Sequence, residues 1–334
     1  MSGRGLDVGT SFIVLSSEKN GNIEYKDFRD AFYVIKPTTP VATKMIEKGL
    51  SGKTFIKDND GSFIILGKDA IEKAIERNDT AKRPMYRGVV SAKEKDAKRI
   101  LAFILKEVVG TASEPGEKLV FCIPAQPVDQ EDEDFDVGYH EDIVKSILGD
   151  CGYDARAINE AEALCYSELE SEDYTGIAIS CGAGMTNICV MLNGEPTVVF
   201  STTKSGDWID RMSAVATGET DSVIQAEKEA GGFKIGEPND NVVLAAVSAY
   251  YERLIDYTTK QLSFALTDHK SLPKFKDPLK IVIAGGTSQA EGYIELFSKK
   301  LTENNFPLDV KEVVHANDPL HAVSKGCLIA ASVL

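Results

Sequence analysis

From Gly5 to Ser16 the chain is apolar and β-branched on either side of a Gly9-Thr10-Ser11 turn, and Asn20-Gly21 then supplies the two-residue signal of a tight hairpin. The chain is therefore expected to open on a β-hairpin. From about Glu24 to Arg87 short strands mix with one helix, roughly Lys68 to Arg77, and read as an excursion from the main sheet. Next, Ile100, Leu101, Ile104, Leu105 and Val108 recur at helical spacing and predict a long amphipathic helix. Leu119 to Pro124 reads as a short buried strand and the acidic stretch Asp129 to Asp136 as a solvated loop. A helix follows with Ile143, Val144, Ile147 and Leu148 on one face.

The pattern then restarts. Gly176 to Ser180 reads as a strand, Cys181-Gly182-Ala183-Gly184 as a turn, and Thr186 to Leu192 as a second strand closed by Asn193-Gly194, which repeats the opening hairpin about half a chain later. Helices are predicted near Asp207 to Ala216, Asp221 to Ala230 and Asn241 to about Leu266. A buried strand, Lys280 to Ala284, ends on Gly285-Gly286 and leads into a helix from about Gln289 to Glu303. A strand, Val310 to His315, and a helix, Pro319 to Ala331, finish the pattern. No low-complexity linker separates the halves, so they are expected to share one compact body.

At 334 residues the chain exceeds what one hydrophobic core spans, which predicts two domains or one domain with a deep cleft. A hydrophobic share of 43% and a charged share of 27% are those of a soluble globular protein. The net charge of −15 argues against a nucleic-acid partner and against direct binding to an anionic membrane, both of which reward a basic surface. Six cysteines without a C-x-x-C pair (Cys122, Cys151, Cys165, Cys181, Cys189, Cys327) read as free thiols in a reducing compartment. With no apolar leader and no run of 18 apolar residues, a cytoplasmic location is expected.

Four segments carry chemistry. Asp7-Val8-Gly9-Thr10-Ser11 gathers a carboxylate, a bare backbone and two hydroxyls in one turn: Gly9 lets the main chain approach an anion, Thr10 and Ser11 donate to it, and Asp7 can hold Mg²⁺ through water. Alone, such a turn is better explained as a plain hairpin with an Asx-type bond. The second copy, Gly182-Ala183-Gly184-Met185-Thr186-Asn187, changes that balance, because two phosphate-type turns can face each other across a cleft. Between them Glu160, in Ile158-Asn159-Glu160-Ala161-Glu162-Ala163, falls at a helix start, where a carboxylate suits the dipole and can act as a general base; a simple capping role explains it equally well. In Ile281-Val282-Ile283-Ala284-Gly285-Gly286-Thr287-Ser288 the glycines would let a flat ring or ribose approach the backbone, as would an ordinary helix-entry turn.

In this order the segments resemble the actin, hexokinase and DnaK-type chaperone superfamily across nearly the whole chain. Asp7 to Thr10 is similar to its first phosphate motif, Gly182 to Asn187 to the second, and Ala284 to Ser288 to the adenosine motif. Asn159-Glu160-Ala161 resembles the first connecting segment, and Asp318-Pro319-Leu320-His321-Ala322-Val323 with Gly326 the second. Ile65-Leu66-Gly67-Lys68-Asp69-Ala70, Arg83-Pro84-Met85 and Gly88-Val89-Val90 are similar to the bacterial actins MreB and MamK. The resemblance implies an α/β, actin-like fold of two ribonuclease-H-like domains around a nucleotide cleft. Residues 1–160, with a small subdomain at about 24–90 and completed by 318–334, would form one domain, and 161–317 the other.

It also implies ATP or ADP with Mg²⁺ as ligands. Glu160 would position or activate the attacking water, and Lys228 and Glu229 would lie near the adenosine. Ser205-Gly206-Asp207-Trp208-Ile209-Asp210 would contribute Ser205, Gly206 and Asp207 to the cleft, with Gly285, Gly286 and Thr287 beside the nucleoside. One departure matters: Ser180 stands where the second phosphate motif normally has an aspartate, which removes a charged ligand of a metal-bound water and predicts slow hydrolysis. Phe12 also stands where relatives have a small or polar residue.

Other signals are set aside. Ser51-Gly52-Lys53-Thr54 lacks the glycine of a P-loop, since Glu47 occupies that place, and reads as an exposed basic loop. His140, His269, His315 and His321 show no carboxylate or cysteine at ligand spacing, which argues against a metal site, and Trp208 reads as packing. The expected function is an ATP-binding actin-like protein that polymerises head to tail into cytoplasmic filaments, with an unknown cytoplasmic adaptor. A small-molecule kinase of the same superfamily is the alternative, though no extra acidic base is seen in a suitable loop. A chaperone-like ATPase domain is disfavoured by the lack of a β-rich segment after the last helix.

Overall fold

The computed structural model describes residues 3–130, 135–268 and 273–334; residues 131–134 of the acidic stretch and His269 lie outside them. Strands β1 (Arg4–Val8) and β2 (Phe12–Lys19) form the opening hairpin, and β3 (Asn22–Arg29) extends it. The β2–β3 turn is made by Asn20 and Gly21, with φ of 54° and 80°, the left-handed pair that two-residue hairpins require. The excursion comprises β4 (Phe32–Ile35), α1 (Pro40–Gly49), β5 (Phe55–Lys57), β6 (Phe63–Leu66), α2 (Lys68–Glu76), β7 (Met85–Tyr86) and β8 (Val89–Val90).

The excursion holds two helices, not the one expected. Helix α1 has no fully buried residue, and only Ile46 packs partly against the core; Thr39, which accepts from the Ala42 N–H, and Pro40 in the first turn are what start it. Lys53 is also less exposed than expected, because it pairs with Asp69 at 2.8 Å.

The first half continues with α3 (Ala97–Val109), β9 (Glu117–Ile123), α4 (Val137–Asp150), β10 (Tyr153–Asn159) and α5 (Glu160–Glu168). The second half has β11 (Gly176–Cys181), β12 (Thr186–Leu192), β13 (Glu195–Thr202), α6 (Gly206–Thr217), α7 (Asp221–Ala230) and α8 (Val242–Asp268). It closes with β14 (Leu279–Ala284), α9 (Tyr293–Glu303), β15 (Val310–His315) and α10 (Ala322–Val333). Helix α9 starts later than expected because Gly286–Gln289 turns as a 3₁₀ segment, Ala290 is extended and Gly292 is left-handed.

The two main sheets run β3-β2-β1-β9-β10 and β13-β12-β11-β14-β15. In each, the first three strands pair antiparallel and the last two join in parallel. The sequence repeat is thus a repeat of architecture, and it places the turns β1–β2 and β11–β12 at equivalent points.

Each sheet has its own core. Leu6, Ile13, Leu119 and Phe121 pack with Ile100 and Leu101 of α3 and Val144 of α4, while Ile179, Ile188 and Ile283 pack with Leu254 and Leu262 of α8. Between the sheets, α5 and α10 bury Ala161, Ala163, Leu164, Ala322, Cys327 and Ala331 against one another. They cross so closely that a Cβ on Gly326 would lie 1.7 Å from the Ala163 carbonyl oxygen, which only glycine tolerates. All six cysteines are buried and free. Among the described residues no helix is long and apolar enough to cross a membrane.

Candidate functional site

The repeated hairpin turns meet. A Cβ on Gly184 would lie 2.4 Å from Thr10 Oγ1, and Thr10 Oγ1 itself accepts from the Gly88 N–H at 2.9 Å. The Gly182 carbonyl accepts from Ser205 Oγ at 2.5 Å, Thr287 Oγ1 at 2.7 Å and the Gly206 N–H at 3.2 Å. One carbonyl therefore fixes the second turn to the start of α6 and to the Gly285-Gly286 turn. Gly285, at φ 93°, is forced by crowding as well as conformation: a Cβ there would lie 2.3 Å from the Cys181 oxygen.

These turns enclose a cavity of about 530 Å³, within the range that holds a nucleotide-sized ligand. Its wall includes Asp7, Gly9, Thr10, Ser11, Glu160, Gly182, Ala183, Gly184, Met185, Asp207, Lys228, Glu229, Gly285, Gly286 and Thr287, all singled out in the sequence. Thr186, Asn187, Ser205 and Gly206 stand behind the wall. Thr186 Oγ1 donates to the Lys204 carbonyl and to Ser205 Oγ, and a Cβ on Gly206 would meet Thr287 Oγ1 at 2.5 Å, so these residues brace the turn.

The cavity floor is carboxylic. Helix α5 starts at Glu160 because Asn159 caps it, its side chain accepting from the Ala161 N–H. Ser180 Oγ donates to Glu160 Oε1 at 2.7 Å and Asn187 Nδ2 to Oε2 at 2.6 Å. Burial, then the nearby Asp7 charge, raise the Glu160 pKa, against the lowering effect of the Ser180 bond. Burial likewise raises Asp7, whose Oδ1 accepts from the Cys122 thiol at 3.1 Å. A desolvated carboxyl on a cavity wall suits a cation held through water, the way Mg²⁺ is bound by one or two carboxylates beside phosphates, and Asp7 fits that role. Among the described residues no cluster of three or more His, Cys, Asp or Glu could cage a metal.

Basic groups cluster with acidic ones around the cavity. Lys228 Nζ pairs with Asp210 at 2.7 Å and donates to the Gly206 carbonyl at 3.2 Å. Burial pushes the Asp210 pKa up to about 6 against the pull of Lys228. Arg29 lies over the Phe12 ring at 4.5 Å and pairs with Glu229 at 3.0 Å, so the unusual aromatic after the first turn serves as a platform for a cation.

Sequence reasoning passed over Arg29 and quoted Arg83 and His321 only within longer motifs, without a role at the site. The arginines have partners 200 and 124 residues away, a separation that leaves no local signal. His321 corrects an expectation: it does have a carboxylate at short spacing, Asp318, 2.7 Å from Nδ1, and Asp27 lies 3.1 Å from Nε2, with the Tyr25 ring stacked at 4.3 Å. Burial lowers its pKa, but the bonds to Asp318 and Asp27 outweigh this and hold it above the ordinary value. Trp208 packs edge-on against Tyr250, in keeping with a packing role.

The sequence pattern of the Volactin family matches residues 1–331. The chain belongs to the Volactin family. No curated protein matches its sequence. Among solved structures, this Volactin chain is similar to a MamK double helical filament, with 18% identity and a TM-score of 0.72 over 99% of this chain and 98% of that one. It is similar to MreB 5 of Spiroplasma citri bound to AMPPNP, with 14% identity and a TM-score of 0.68 over 99% and 96%. A third is the ethanolamine utilization protein EutJ from Carboxydothermus hydrogenoformans, with 16% identity and a TM-score of 0.55 over 98% and 90%. The chain thus has an α/β, actin-like fold, two ribonuclease-H-like halves flanking the cleft.

Proposed function

We propose that this Volactin chain binds ATP in the cleft, hydrolyses it slowly and assembles head to tail into filaments. The observation that carries the reading is the convergence of two glycine hairpin turns and the Gly285-Gly286 turn on one cavity with a carboxylic floor. Relatives in fold support it: MamK was solved as a filament and with AMPPNP, and MreB 5 with AMPPNP and with ADP. Residues 1–160 with 318–334 form one domain in this reading, with a small subdomain at about 24–90, and 161–317 form the other.

The turns of Gly9 to Ser11 and of Gly182 to Met185 hold the phosphates, and Lys228, Glu229 and the Gly285 to Thr287 turn hold the nucleoside. Mg²⁺, held by Asp7 through water, would supply charge neutralisation at the phosphates. Glu160 orients the attacking water and takes its proton. The water oxygen bonds the γ phosphorus as the bond to the β–γ bridging oxygen breaks, its electron pair leaves with ADP, and the proton passes on with the released phosphate. Two features slow this step. Ser180 contributes no charge, and a Glu160 pKa raised by burial depletes the ionised base at neutral pH.

A filament of identical subunits needs a heterologous interface, two different surfaces meeting without closure. Titration calorimetry with ATP and Mg²⁺, followed by pelleting and electron microscopy, tests the reading. Binding with sedimentable filaments is the expected outcome; monomers under all nucleotide conditions sink the filament, and absence of binding sinks the whole. ADP release that depends on an added sugar would point to a kinase instead.

A further inference from the structure

Asn187 was singled out as part of a phosphate motif, yet it is fully buried and does not line the cavity. Its two ends are engaged. Asn187 Oδ1 accepts from the Ala125 N–H at 2.8 Å, and Nδ2 donates to Glu160 Oε2 at 2.6 Å. A backbone N–H can only donate, so Ala125 fixes which end of the amide is oxygen, and the remaining NH₂ must face the carboxyl. Ala125 is itself held: its carbonyl accepts from Ser201 Oγ at 2.8 Å, and the next residues bond to the β13 backbone through the Gln126 carbonyl and the Val128 N–H.

The segment after β9, which belongs to the first sheet, thus reaches onto the second sheet and, through one amide, onto the carboxyl at the start of α5. Oε1, beside Ser180 Oγ and 3.9 Å from where a Cβ on the cavity-wall residue Gly182 would lie, is the oxygen turned to the cavity, and it keeps a further lone pair for water.

We infer that Asn187 is a positioning residue: it fixes the Glu160 carboxyl so that Oε1 faces the reacting water, and it ties that orientation to the contact between the two halves. The inference rests on the reading that Glu160 serves ATP hydrolysis. It reassigns Asn187 from a ligand contact to a residue that acts through another.

The test uses the full chain and two readouts. Asn187→Leu keeps the side-chain volume and removes both polar ends. Single-turnover phosphate release is expected to fall about 10- to 100-fold, the scale of a misplaced reacting group, with ATP affinity within about twofold of wild type. The control Ser201→Ala loosens the same junction without touching the amide, and should leave the rate within about threefold, a loss well short of that scale. The second readout needs no turnover: the infrared carboxyl band that disappears in Glu160→Gln is expected to shift in Asn187→Leu.

If the wild type releases no phosphate, the hydrolysis reading fails, and the infrared shift still decides the positioning role. A large loss of ATP affinity with an unchanged rate would make Asn187 a ligand contact and overturn the inference. So would an unmoved band, or an equal rate loss in Ser201→Ala. Should Asn187→Leu not fold, Asn187→Asp keeps the acceptor for Ala125, loses the donor and is judged by the infrared band in the same way.

Discussion

Arg83 Nη1 stands 2.9 Å from both carboxylate oxygens of Asp207, joining the segment after α2 to the first turn of α6. The bond crosses from the first half to the second, and Asp207 lies on the cavity wall. Arg29 and Glu229 make a second crossing, with Gln225 Nε2 also donating to Glu229. Opening the cleft must break both. Because the Arg83 and Asp207 side chains keep 21% and 36% exposure, solvent screens their pair, and its share is about 1 kcal/mol.

Arg83→Gln is therefore expected to speed release of a bound fluorescent ATP analogue by about threefold to tenfold, with a smaller effect on its association. Stopped-flow chase with excess ATP measures this. An unchanged off-rate would mean that opening does not pass through this pair.

His140 is buried in α4 with neither ring nitrogen bonded, and burial holds its pKa down to about 4 against an ordinary 6.5. The folded chain keeps it neutral while the unfolded chain protonates it. Its contribution to stability is therefore complete above pH 6.5 and is lost as pH falls through 4. The expected loss between pH 7 and pH 4.5 is on the order of 2 kcal/mol from this residue alone. Urea midpoints at the two pH values should differ less in His140→Leu than in wild type.

Asp30 gives the opposite sign. Its carboxyl is buried without a hydrogen-bond partner, and burial raises its pKa to about 8 despite the Arg83 and Arg29 charges. Its contribution is present below the ordinary 3.8 and is lost as pH rises through 8. Asp30→Asn, which cannot ionise, should show a smaller fall in urea midpoint from pH 5 to pH 9. Equal falls in variant and wild type would mean that Asp30 does not titrate in this range.

Two glycines in helices should respond oppositely to alanine. At Gly326 an added Cβ meets Ala163 backbone atoms at 1.7 and 2.4 Å, so α10 and α5 must separate, at a cost of about 3 kcal/mol or more. At Gly149 in α4 it meets nothing within 4 Å, and alanine should stabilise by about 0.5–1 kcal/mol through the unfolded chain's lost freedom. Parallel denaturant curves decide both, and a tolerated Gly326→Ala would refute the close crossing.

The hairpins were legible because their chemistry is local: Asn20-Gly21 and the glycine turns announce themselves within a few residues, and β12 ends where Asn193-Gly194 follows. Helix α1 was not, since it is short and two of its three large apolar residues, Val41 and Met45, face solvent. The cavity wall was largely legible through the glycines of its turns, Gly9, Gly184 and Gly285, where an added Cβ would meet a neighbour. The charged ring was not. Whether Glu229 faces a ligand or Arg29, and whether Asn187 faces the cavity or Glu160, depends on how two sheets meet, which no local pattern encodes.

Ser180→Asp restores a charge where the superfamily motif carries one. Without cations it would bury a third carboxyl beside Asp7 and Glu160, whose pKa values burial already raises, and exchange a hydroxyl donor for a repelling group. The variant's Tm in chelator is therefore expected to fall by about 1–3 °C, an order set by about 1–2 kcal/mol of like-charge burial in a chain of this size. Millimolar Mg²⁺ should then raise the variant's Tm more than the wild type's, because the new carboxylate gains a cation to face, and ATP turnover should rise with it. Equal Mg²⁺ shifts in the two proteins would show that position 180 does not face the metal, and slow turnover would then have to come from Glu160 itself.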